Sequence, residues 1–318
     1  MPIETVKRIR KLAIPPAWTQ VWICTDSQGH LQATGRDARG RKQYRYHSDW
    51  RKKRDETKYD RLIGFGTVLP RIRRRVSRDM RKPGLGQDKV LAAVAHLLDL
   101  SGMRIGNEEY VAQNNSYGLT TLRNRHARVN GSRIHFRFRG KSGQDQELDI
   151  EHPLLSRIVK KCQDLPGQDL FQYVDEKGTS HNISSGHVNE YLAQISGEEF
   201  TAKDFRTWRG TLLAAQALRA SPRPKTKQNS KREIVRAVEH VAAQLGNTPA
   251  VCRKCYIHPG VIDSFLDGTL KTVFGAQPIF SSRSRHSISA EASLLRLMRR
   301  IQRKPGNGAR QRAKTRIR

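Results

Sequence analysis

Five side chains between residues 104 and 256 have the types that phosphoryl transfer requires. They are two arginines, a lysine, an asparagine and a tyrosine: Arg104, Lys141, Arg206, Asn247 and Tyr256. A tyrosine oxygen can attack phosphorus and keep the energy of the broken bond in its ester, so the step reverses without ATP. Planar, permanently charged guanidiniums suit the oxygens of a five-coordinate transition state, and a lysine can protonate a leaving hydroxyl. Taken singly, each residue is weak evidence: an arginine in so basic a protein is usually a phosphate contact or a solvated side chain, and a tyrosine at the end of a short helix usually belongs to the core or its rim.

The composition indicates a polyanionic partner. The 318-residue chain has 60 Lys and Arg against 29 Asp and Glu, a formal net charge of +31 at pH 7. An excess of this size is typical of nucleic-acid binding. The basic residues are distributed along the chain among 36% hydrophobic residues, so a folded protein carries the charge. No apolar run reaches the roughly 18 residues of a membrane span. We therefore expect no membrane partner and a cytoplasmic, nucleoid-associated protein.

The order of the five residues resembles that of the type IB DNA topoisomerases, in their poxvirus-like and bacterial branch. The resemblance extends over nearly the whole chain. Its further signatures are DARGRKQYRYH at 37–47, YGLTTL at 117–122 followed by Asn124 and His126, TAKDFRT at 201–207, and the nine-residue step from Asn247 to Tyr256. Such an ordered set is far more specific than any one of its members.

The resemblance implies a role for each candidate. Arg104 and Arg206 hold the equatorial oxygens of the phosphate, Lys141 protonates the departing 5′-hydroxyl, and Tyr256 is the nucleophile. The intermediate is a 3′-phosphotyrosyl link, and the overall reaction is relaxation of supercoiled DNA by nicking, rotation and resealing. By the same resemblance we expect a monomer that acts on duplex DNA with no cofactor, no metal and no obligatory protein partner.

Asn247 departs from the poxvirus pattern, which has histidine at this position. Asparagine donates a hydrogen bond to a non-bridging oxygen but cannot release a proton at neutral pH. Bacterial members of the family tolerate asparagine here, so we interpret Asn247 as an oxygen-stabilising donor. The alternative is an asparagine that caps a helix.

The resemblance also implies a set of DNA-binding residues. Most lie in a strand where basic and aromatic side chains alternate, a ribbon that fits a major groove. The set is Arg39, Arg41, Lys42, Gln43, Tyr44, Tyr46 and Lys203. Alternation leaves open that Tyr44 or Tyr46 faces the core instead.

The pattern along the first fifty residues predicts short strands near 21–25, 31–34 and 41–47. The run at 51–58 contains no apolar residue, so we predict an interdomain linker there. The predicted N-terminal domain, residues 1–56, is therefore a small antiparallel β domain that binds DNA.

Helical periodicity dominates the rest of the chain. Apolar residues at 90, 91, 94, 97 and 98 share one face of a helix. Further helices are predicted at 105–113, 204–219 and 231–245, and a short helix from Thr248-Pro249, beside a hairpin at 132–151. The predicted fold is thus α+β in two lobes. The larger lobe, residues 57–303, is a mainly α-helical catalytic domain with a small sheet, and a basic, disordered tail follows at 304–318.

Two other functions, and separately a zinc site, would account for parts of the sequence. A tyrosine recombinase shares the arginine, lysine and tyrosine chemistry, but usually has histidine where this chain has Lys203. An architectural DNA binder would explain the charge without any nucleophile. The pair Cys252 and Cys255 with His258 could bind zinc, but structural zinc usually has four ligands and no second pair lies nearby. No metal site is predicted.

Overall fold

The structure, a computed structural model, describes residues 2–38, 40–221, 226–275 and 285–303. The predicted tail at 304–318 and the predicted DNA contact Arg39 lie outside these ranges. The chain divides into two compact units, Met1–Arg61 and Leu62–Arg318. Within the described ranges, no helix combines the length and apolarity needed to cross a membrane.

The first unit contains one helix and one antiparallel sheet. Its elements are α1 (Ile3–Lys11), β1 (Thr19–Ile23), β2 (Leu31–Arg36) and β3 (Lys42–Tyr46), with the strands in the order β1-β2-β3. The three predicted strands are confirmed. The sequence pattern predicted no helix in this region, whereas α1 precedes the three strands.

A buried glutamine connects α1 to the sheet. Gln32 is 2% exposed, and its amide nitrogen donates to the backbone oxygens of Asp26 (3.0 Å) and Gly29 (2.7 Å), which closes the turn between β1 and β2. Its amide oxygen accepts from the Arg8 guanidinium at 2.7 Å, and Arg8 also donates to the backbone oxygen of Cys24 at 2.8 Å. These polar contacts join α1 to the β1–β2 turn, and Val6 and Ile9 on α1 are also half-buried.

The polar run predicted as a linker is helical. Residues 51–58 lie inside α2, which extends from Ser48 to Asp79. Lys, Arg and Glu are good helix formers, so the absence of apolar residues does not end a helix that continues into a buried segment.

The second unit is mainly helical, with two small antiparallel sheets ordered β4-β5-β6 and β7-β8. Its remaining helices are α3 (Gln87–Ser101), α4 (Glu108–Asn114), α5 (Pro153–Gln163), α6 (Ser185–Ser196), α7 (Ala202–Ala220), α8 (Lys227–Leu245), α9 (Pro249–Cys255), α10 (Pro259–Leu266), α11 (Thr269–Phe274) and α12 (Arg285–Arg303). Its strands are β4 (Ala127–Asn130), β5 (Arg133–Arg139), β6 (Asp145–Glu151), β7 (Gln172–Val174) and β8 (Ser180–Asn182). The predicted α+β class, with a small N-terminal sheet and a mainly helical body, is confirmed.

The helix predicted at 105–113 begins later than expected. α4 starts at Glu108, because the Asn107 side chain accepts from the backbone N–H of Glu109 at 2.7 Å and so forms its N-cap. The carbonyl of Ile105 is already engaged by the backbone N–H of Thr120 at 2.7 Å, so it cannot join a helix. Arg104 therefore lies in a loop between α3 and α4.

The core of the second unit forms where α2 crosses α7. On α2, buried residues recur at helical spacing: Leu62, Phe65, Leu69, Ile72 and Val76. The ring of Phe65 meets that of Phe205 edge to face, with centroids 4.9 Å apart. Beside it, a β-carbon added at Gly66 would overlap the ring of Trp208, so only glycine permits this approach.

Gly66→Ala should destabilise the protein. The added methyl group overlaps the indole of Trp208, and overpacking a well-packed core typically costs about 1–3 kcal/mol. Gly64 on the same helix is the matched control, because its added β-carbon meets only the Phe200 ring, at 3.4 Å. Gly64→Ala should stabilise by about 0.5–1 kcal/mol through helix propensity. Urea unfolding midpoints measure both, and equal shifts in the same direction would contradict the packing assigned to Gly66.

Candidate active site

Arg206 lies inside the fold with its charge almost completely removed from solvent. The residue is 4% exposed on the second turn of α7. Its Nη1 donates to the backbone oxygen of Gly102, and its Nη2 donates to that of Leu245 at 2.8 Å. The guanidinium carbon stands 5.0 Å from the ring centroid of Tyr256, a cation–π distance. One side chain thus contacts the C-terminal ends of α3 and α8 and the predicted nucleophile.

Arg104 points into the same region from the loop after α3. Its Nη1 donates to the backbone oxygen of Gly246 at 3.2 Å, and its Nη2 donates to Oδ1 of Asn247. Burial and then the neighbouring charge of Arg206 lower the pKa of Arg104. Two guanidiniums are therefore held close together with neutral oxygens, not carboxylates, as their hydrogen-bond acceptors.

The Arg104 loop is held by the segment at 117–119, for which the sequence predicted no structural role. The backbone N–H of Leu119 donates to the carbonyl of Arg104 at 2.9 Å. A β-carbon added at Gly118 would stand 2.5 Å from the backbone nitrogen of Gly106, so these two segments of the backbone are in direct contact. The backbone N–H of Tyr117 donates to the carbonyl of Arg139 at 2.8 Å, at the end of β5. This segment therefore joins the Arg104 loop to the hairpin that carries Lys141.

Lys141 lies exposed at the tip of the predicted hairpin. β5 and β6 pair in register from Arg133–Glu151 to Arg139–Asp145, which confirms the hairpin, and β4 adds a third strand. The tip is closed by the Gly140 N–H, which donates to the carbonyl of Gln144 at 2.8 Å. The lysine is thus presented on a short, closed turn.

Tyr256 ends α9, the short helix predicted from Thr248-Pro249. Thr248 is its N-cap, with the side chain accepting from the backbone N–H of Val251 at 3.4 Å. The carbonyl of Tyr256 accepts from Oγ1 of Thr211 on α7 at 3.1 Å. A β-carbon at Gly210 would lie 2.7 Å from that same carbonyl oxygen. The backbone of Tyr256 thus packs directly on α7, four to five residues after Arg206.

Asn247 is not the N-cap of α9, since that position belongs to Thr248. Its Oδ1 accepts from Arg104, and its Nδ2 lies 3.4 Å from the carbonyl of Leu245. The interpretation of Asn247 as an oxygen-stabilising donor stays a prediction, and the contact that the structure shows is with Arg104.

Four of the five candidates, together with Lys203, line one cleft of about 220 Å³. Its described lining is Arg104, Ile105, Gly106, Asn107, Ser116, Tyr117, Lys141, Ala202, Lys203, Arg206 and Tyr256, a set without a carboxylate. Asn247 is not among these lining residues, but it contacts one of them, Arg104. The charged residues of this lining are therefore all basic.

The cysteines near Tyr256 lack the surroundings of a zinc site. Cys252 is buried, and burial raises the pKa of its thiol. Nδ1 of His258 accepts from the backbone N–H of Gly260 at 3.0 Å, as the N-cap of α10. Among the described residues, no three His, Cys, Asp or Glu side chains are grouped to hold a metal.

The predicted DNA contacts on β3 differ in orientation. The Tyr44 side chain is 44% exposed, and the Lys42 ammonium stands 5.8 Å from its ring centroid. Gln43 and Arg41 instead donate to the carboxylate of Asp37, at 2.9 and 2.8 Å. Tyr46 is half-buried and stacks on Tyr44, with ring centroids 6.0 Å apart. These roles stay predictions.

His126 is a structural histidine beside the cleft. Its Nδ1 accepts from the backbone N–H of Arg123 at 3.0 Å, and its ring meets Tyr117 edge to face at 4.4 Å. Burial, and then the charges of Arg125 and Arg123, lower the pKa of His126 to about 4. The ring is therefore neutral at pH 7.

This histidine should make stability depend on pH. The unfolded chain protonates His126 near its ordinary pKa of about 6.5, while the folded protein does so only near 4. The unfolded state therefore binds more protons between these values, and the melting temperature should fall as pH falls through this window. His126→Asn keeps an acceptor for the backbone N–H of Arg123 and removes the titrating group. The melting temperature of this variant should therefore fall less steeply as pH falls. His96, whose pKa burial also lowers to about 4, keeps part of the effect. If the melting temperatures of the wild type and His126→Asn fall in parallel with pH, the lowered pKa of His126 is contradicted.

Comparison with known proteins places these features in a family. Residues 47–271 match the family described as eukaryotic DNA topoisomerase I, catalytic core. Residues 3–37 match the bacterial DNA topoisomerase IB N-terminal domain, a region that includes the unpredicted α1.

Individual relatives agree with this match. The chain is 36% identical over 261 residues to DNA topoisomerase 1B of Acanthamoeba polyphaga mimivirus, covering 80% of this chain and 78% of that protein. It is 23% identical over 281 residues to DNA topoisomerase 1B of vaccinia virus (strain Copenhagen), covering 86% and 85%. A 29% match over 183 residues to DNA topoisomerase 1 of Mycosarcoma maydis covers 52% of this chain and 18% of that protein. The chain belongs to the type IB DNA topoisomerase family.

Proposed function

We propose that this protein relaxes supercoiled duplex DNA by transient cleavage of one strand through a 3′-phosphotyrosyl intermediate, strand rotation and religation. The observation that carries the proposal is the cleft in which Arg104, Lys141, Arg206 and Tyr256 meet without a lining carboxylate. The residues come from four separate segments of the second unit, so one copy of the chain suffices. We propose the monomer as the working unit.

The scissile phosphate would supply the negative charge that the cleft lacks. Arg104 and Arg206 have only neutral oxygens as described acceptors. A buried charge without a counter-charge is costly, and the lowered pKa of Arg104 has burial and Arg206 as its main causes. Charge-assisted bonds from guanidinium to phosphate oxygens are stronger than bonds to carbonyls, so a phosphate can replace them. The donor nitrogen of Asn247 would add a neutral hydrogen bond to the same oxygens.

In the proposed cleavage step, Tyr256 forms a bond to phosphorus and the 5′-oxygen leaves. The phenolic oxygen of Tyr256 attacks phosphorus as its proton passes to solvent, and the bond from phosphorus to the 5′-oxygen breaks. Lys141 donates its proton to that leaving oxygen, giving a free 5′-hydroxyl. Religation is the reverse, with the 5′-hydroxyl returning its proton to Lys141 and displacing the tyrosine.

This scheme needs neither ATP nor metal. The phosphotyrosine ester conserves the energy of the broken bond, so no second energy source is required. The positive charge that a metal would contribute is supplied by two guanidiniums and one ammonium group. We propose further duplex contacts outside the catalytic residues. They are the exposed Lys203 beside the cleft and, in the first unit, Arg41, Lys42, Gln43, Tyr44 and Tyr46. The same proposal extends to Arg39.

Tyr256→Phe should abolish relaxation while duplex affinity stays near that of the wild type, because only the attacking oxygen is removed. Supercoiled plasmid is incubated with each protein in EDTA without ATP, and topoisomers are resolved on agarose. Tyr173→Phe is the matched control, because Tyr173 lies on β7 outside the cleft and should leave relaxation intact. A covalent DNA adduct trapped with the Tyr256 variant on a denaturing gel would overturn the assignment.

Lys141→Ala should slow cleavage by roughly 10²–10⁴-fold, the usual contribution of a general acid. A substrate with a 5′-bridging phosphorothiolate should restore most of the rate, because a thiolate leaves without a proton. Single-turnover cleavage of both substrates measures this, with the exposed Lys177→Ala as the control for loss of one positive charge. If the sulfur substrate gives no rescue, Lys141 acts by charge and not by proton donation.

A further inference from the structure

The hairpin that carries Lys141 has a polar side chain on its inner face. Residues directly opposite one another in an antiparallel pair share a face of the sheet. The buried residues of β5 and their partners on β6 are Ile134 with Ile150, Phe136 with Leu148, and Phe138 with Gln146. Gln146 therefore interrupts an otherwise apolar face at the pair closest but one to the turn. Departures of this kind from the apolar pattern are expected mainly at functional or strained sites.

The Gln146 side chain reaches from the hairpin to the end of α8. Its amide lies against Gly246, the C-cap of α8, where an added β-carbon would stand 2.5 Å from Nε2 of Gln146. Gly246 has a φ of +56°, a conformation that residues other than glycine rarely adopt. Glycine is thus required here both by the backbone conformation and by the approach of Gln146.

Gly246 belongs to the segment that holds the two arginines of the cleft. The carbonyl of Leu245 accepts from Arg206 at 2.8 Å, and the carbonyl of Gly246 itself accepts from Arg104 at 3.2 Å. Gln146 therefore contacts the short stretch of backbone to which both guanidiniums are bonded.

The same side chain also supports the turn that presents Lys141. A β-carbon added at Gly140, the residue before Lys141, would lie 2.8 Å from Cγ of Gln146. Among the described residues, the only hydrogen bond of the Gln146 amide is to the carbonyl of its own neighbour Asp145, at 3.2 Å. Gln146 therefore links the turn to the end of α8 by packing, with Gly140 on one side and Gly246 on the other.

We propose that Gln146 is a positioning residue for Lys141. Its packing between Gly140 and Gly246 fixes the tip of the hairpin relative to the two guanidiniums. The Lys141 ammonium group is thereby directed toward the leaving 5′-oxygen while the guanidiniums hold the phosphate. This role rests on the proposed function, because the step that it affects is proton donation by Lys141. Lys141 is exposed, and a misplacement of about 1 Å in a reacting group can slow a reaction on the order of 10²-fold.

The test measures single-turnover cleavage by the full-length protein on a duplex with the ordinary 5′-oxygen and on one with a 5′-bridging phosphorothiolate. Gln146→Ala should slow cleavage of the ordinary duplex by about 10–10²-fold, because Lys141 is displaced. On the phosphorothiolate duplex the loss should be less than about threefold, because a thiolate leaves without a proton. Gln146→Met keeps the length and packing of the side chain, so it should cleave both duplexes at nearly the wild-type rate.

The double variant tests whether Gln146 acts through Lys141. In the Lys141→Ala background, Gln146→Ala should cause less than about threefold further loss on the ordinary duplex, because effects of coupled residues do not add. Gln144→Ala is the matched control, since Gln144 is exposed on the same hairpin and alanine keeps the carbonyl that closes the turn. It should leave the ratio of the two rates unchanged. Circular dichroism melting verifies that each variant is folded.

The outcomes separate this role from the proposed function. Wild-type rates for Gln146→Ala, an additive loss in the double variant, or a Met variant as slow as the Ala variant would overturn the proposal for Gln146 alone. So would equal losses on the two duplexes for Gln146→Ala when Lys141→Ala is rescued by sulfur. If Lys141→Ala is not rescued, proton donation in the proposed function fails, and the positioning role fails with it.

Discussion

The candidate active site depends on one buried positive charge. Arg206 is almost completely enclosed, yet its two terminal nitrogens bond the backbone at Gly102 and Leu245, and its guanidinium packs on Tyr256. Gly102 ends α3 just before Arg104, and Leu245 ends α8 just before Asn247. A guanidinium is planar, has five donors and stays charged at any physiological pH, so it can hold several carbonyls in fixed directions. Lysine could not hold both carbonyls with the same geometry.

The acceptors around the Arg206 guanidinium differ from those around a fully paired arginine. Carbonyl groups solvate a guanidinium only in part, and desolvating an ion costs several kcal/mol. Arg73 in the same unit is neutralised by carboxylates: it binds Asp99 and Glu291, each at 2.7 Å. Burial opposes the charge of Arg73, but its hydrogen bonds to Glu291 and Asp99 outweigh burial and raise its pKa. In contrast, Arg104 and Arg206 have no described carboxylate partner, and the pKa of Arg104 moves in the opposite direction. A binding site for phosphate and a fully stabilised fold place opposite demands on an arginine.

The sequence predicted elements well where one physical signal dominated. α3, α7, α8 and the β5–β6 hairpin follow from periodicity, and the start of α9 follows from Thr248-Pro249. α1 was missed because five of its nine residues are charged, although Val6 and Ile9 lie half-buried three residues apart. The run at 51–58 was interpreted as a linker because it lacks apolar residues, although its residue types favour a helix.

The five candidate residues could be identified from the sequence, but the backbone contacts that position them could not. A glycine in a sequence does not reveal which backbone approaches it, so the contacts at Gly118 with Gly106 and at Gly210 with Tyr256 appear only in three dimensions. Nor could pattern decide which face of the first sheet is open. That depends on the β1–β2 register, which shifts between Thr19 and Trp22.

The central claim is that the scissile phosphate is the missing counter-charge of Arg206, and one comparison of substrates tests it directly. Single-turnover cleavage is measured for the wild type and Arg206→Ala, on a duplex with an ordinary phosphate and on one with a neutral methylphosphonate at the cleavage site. If Arg206 neutralises a phosphate oxygen, the rate loss caused by the substitution should shrink by at least about tenfold on the neutral substrate. An equal loss on both substrates would contradict the claim and leave Arg206 with a purely structural role.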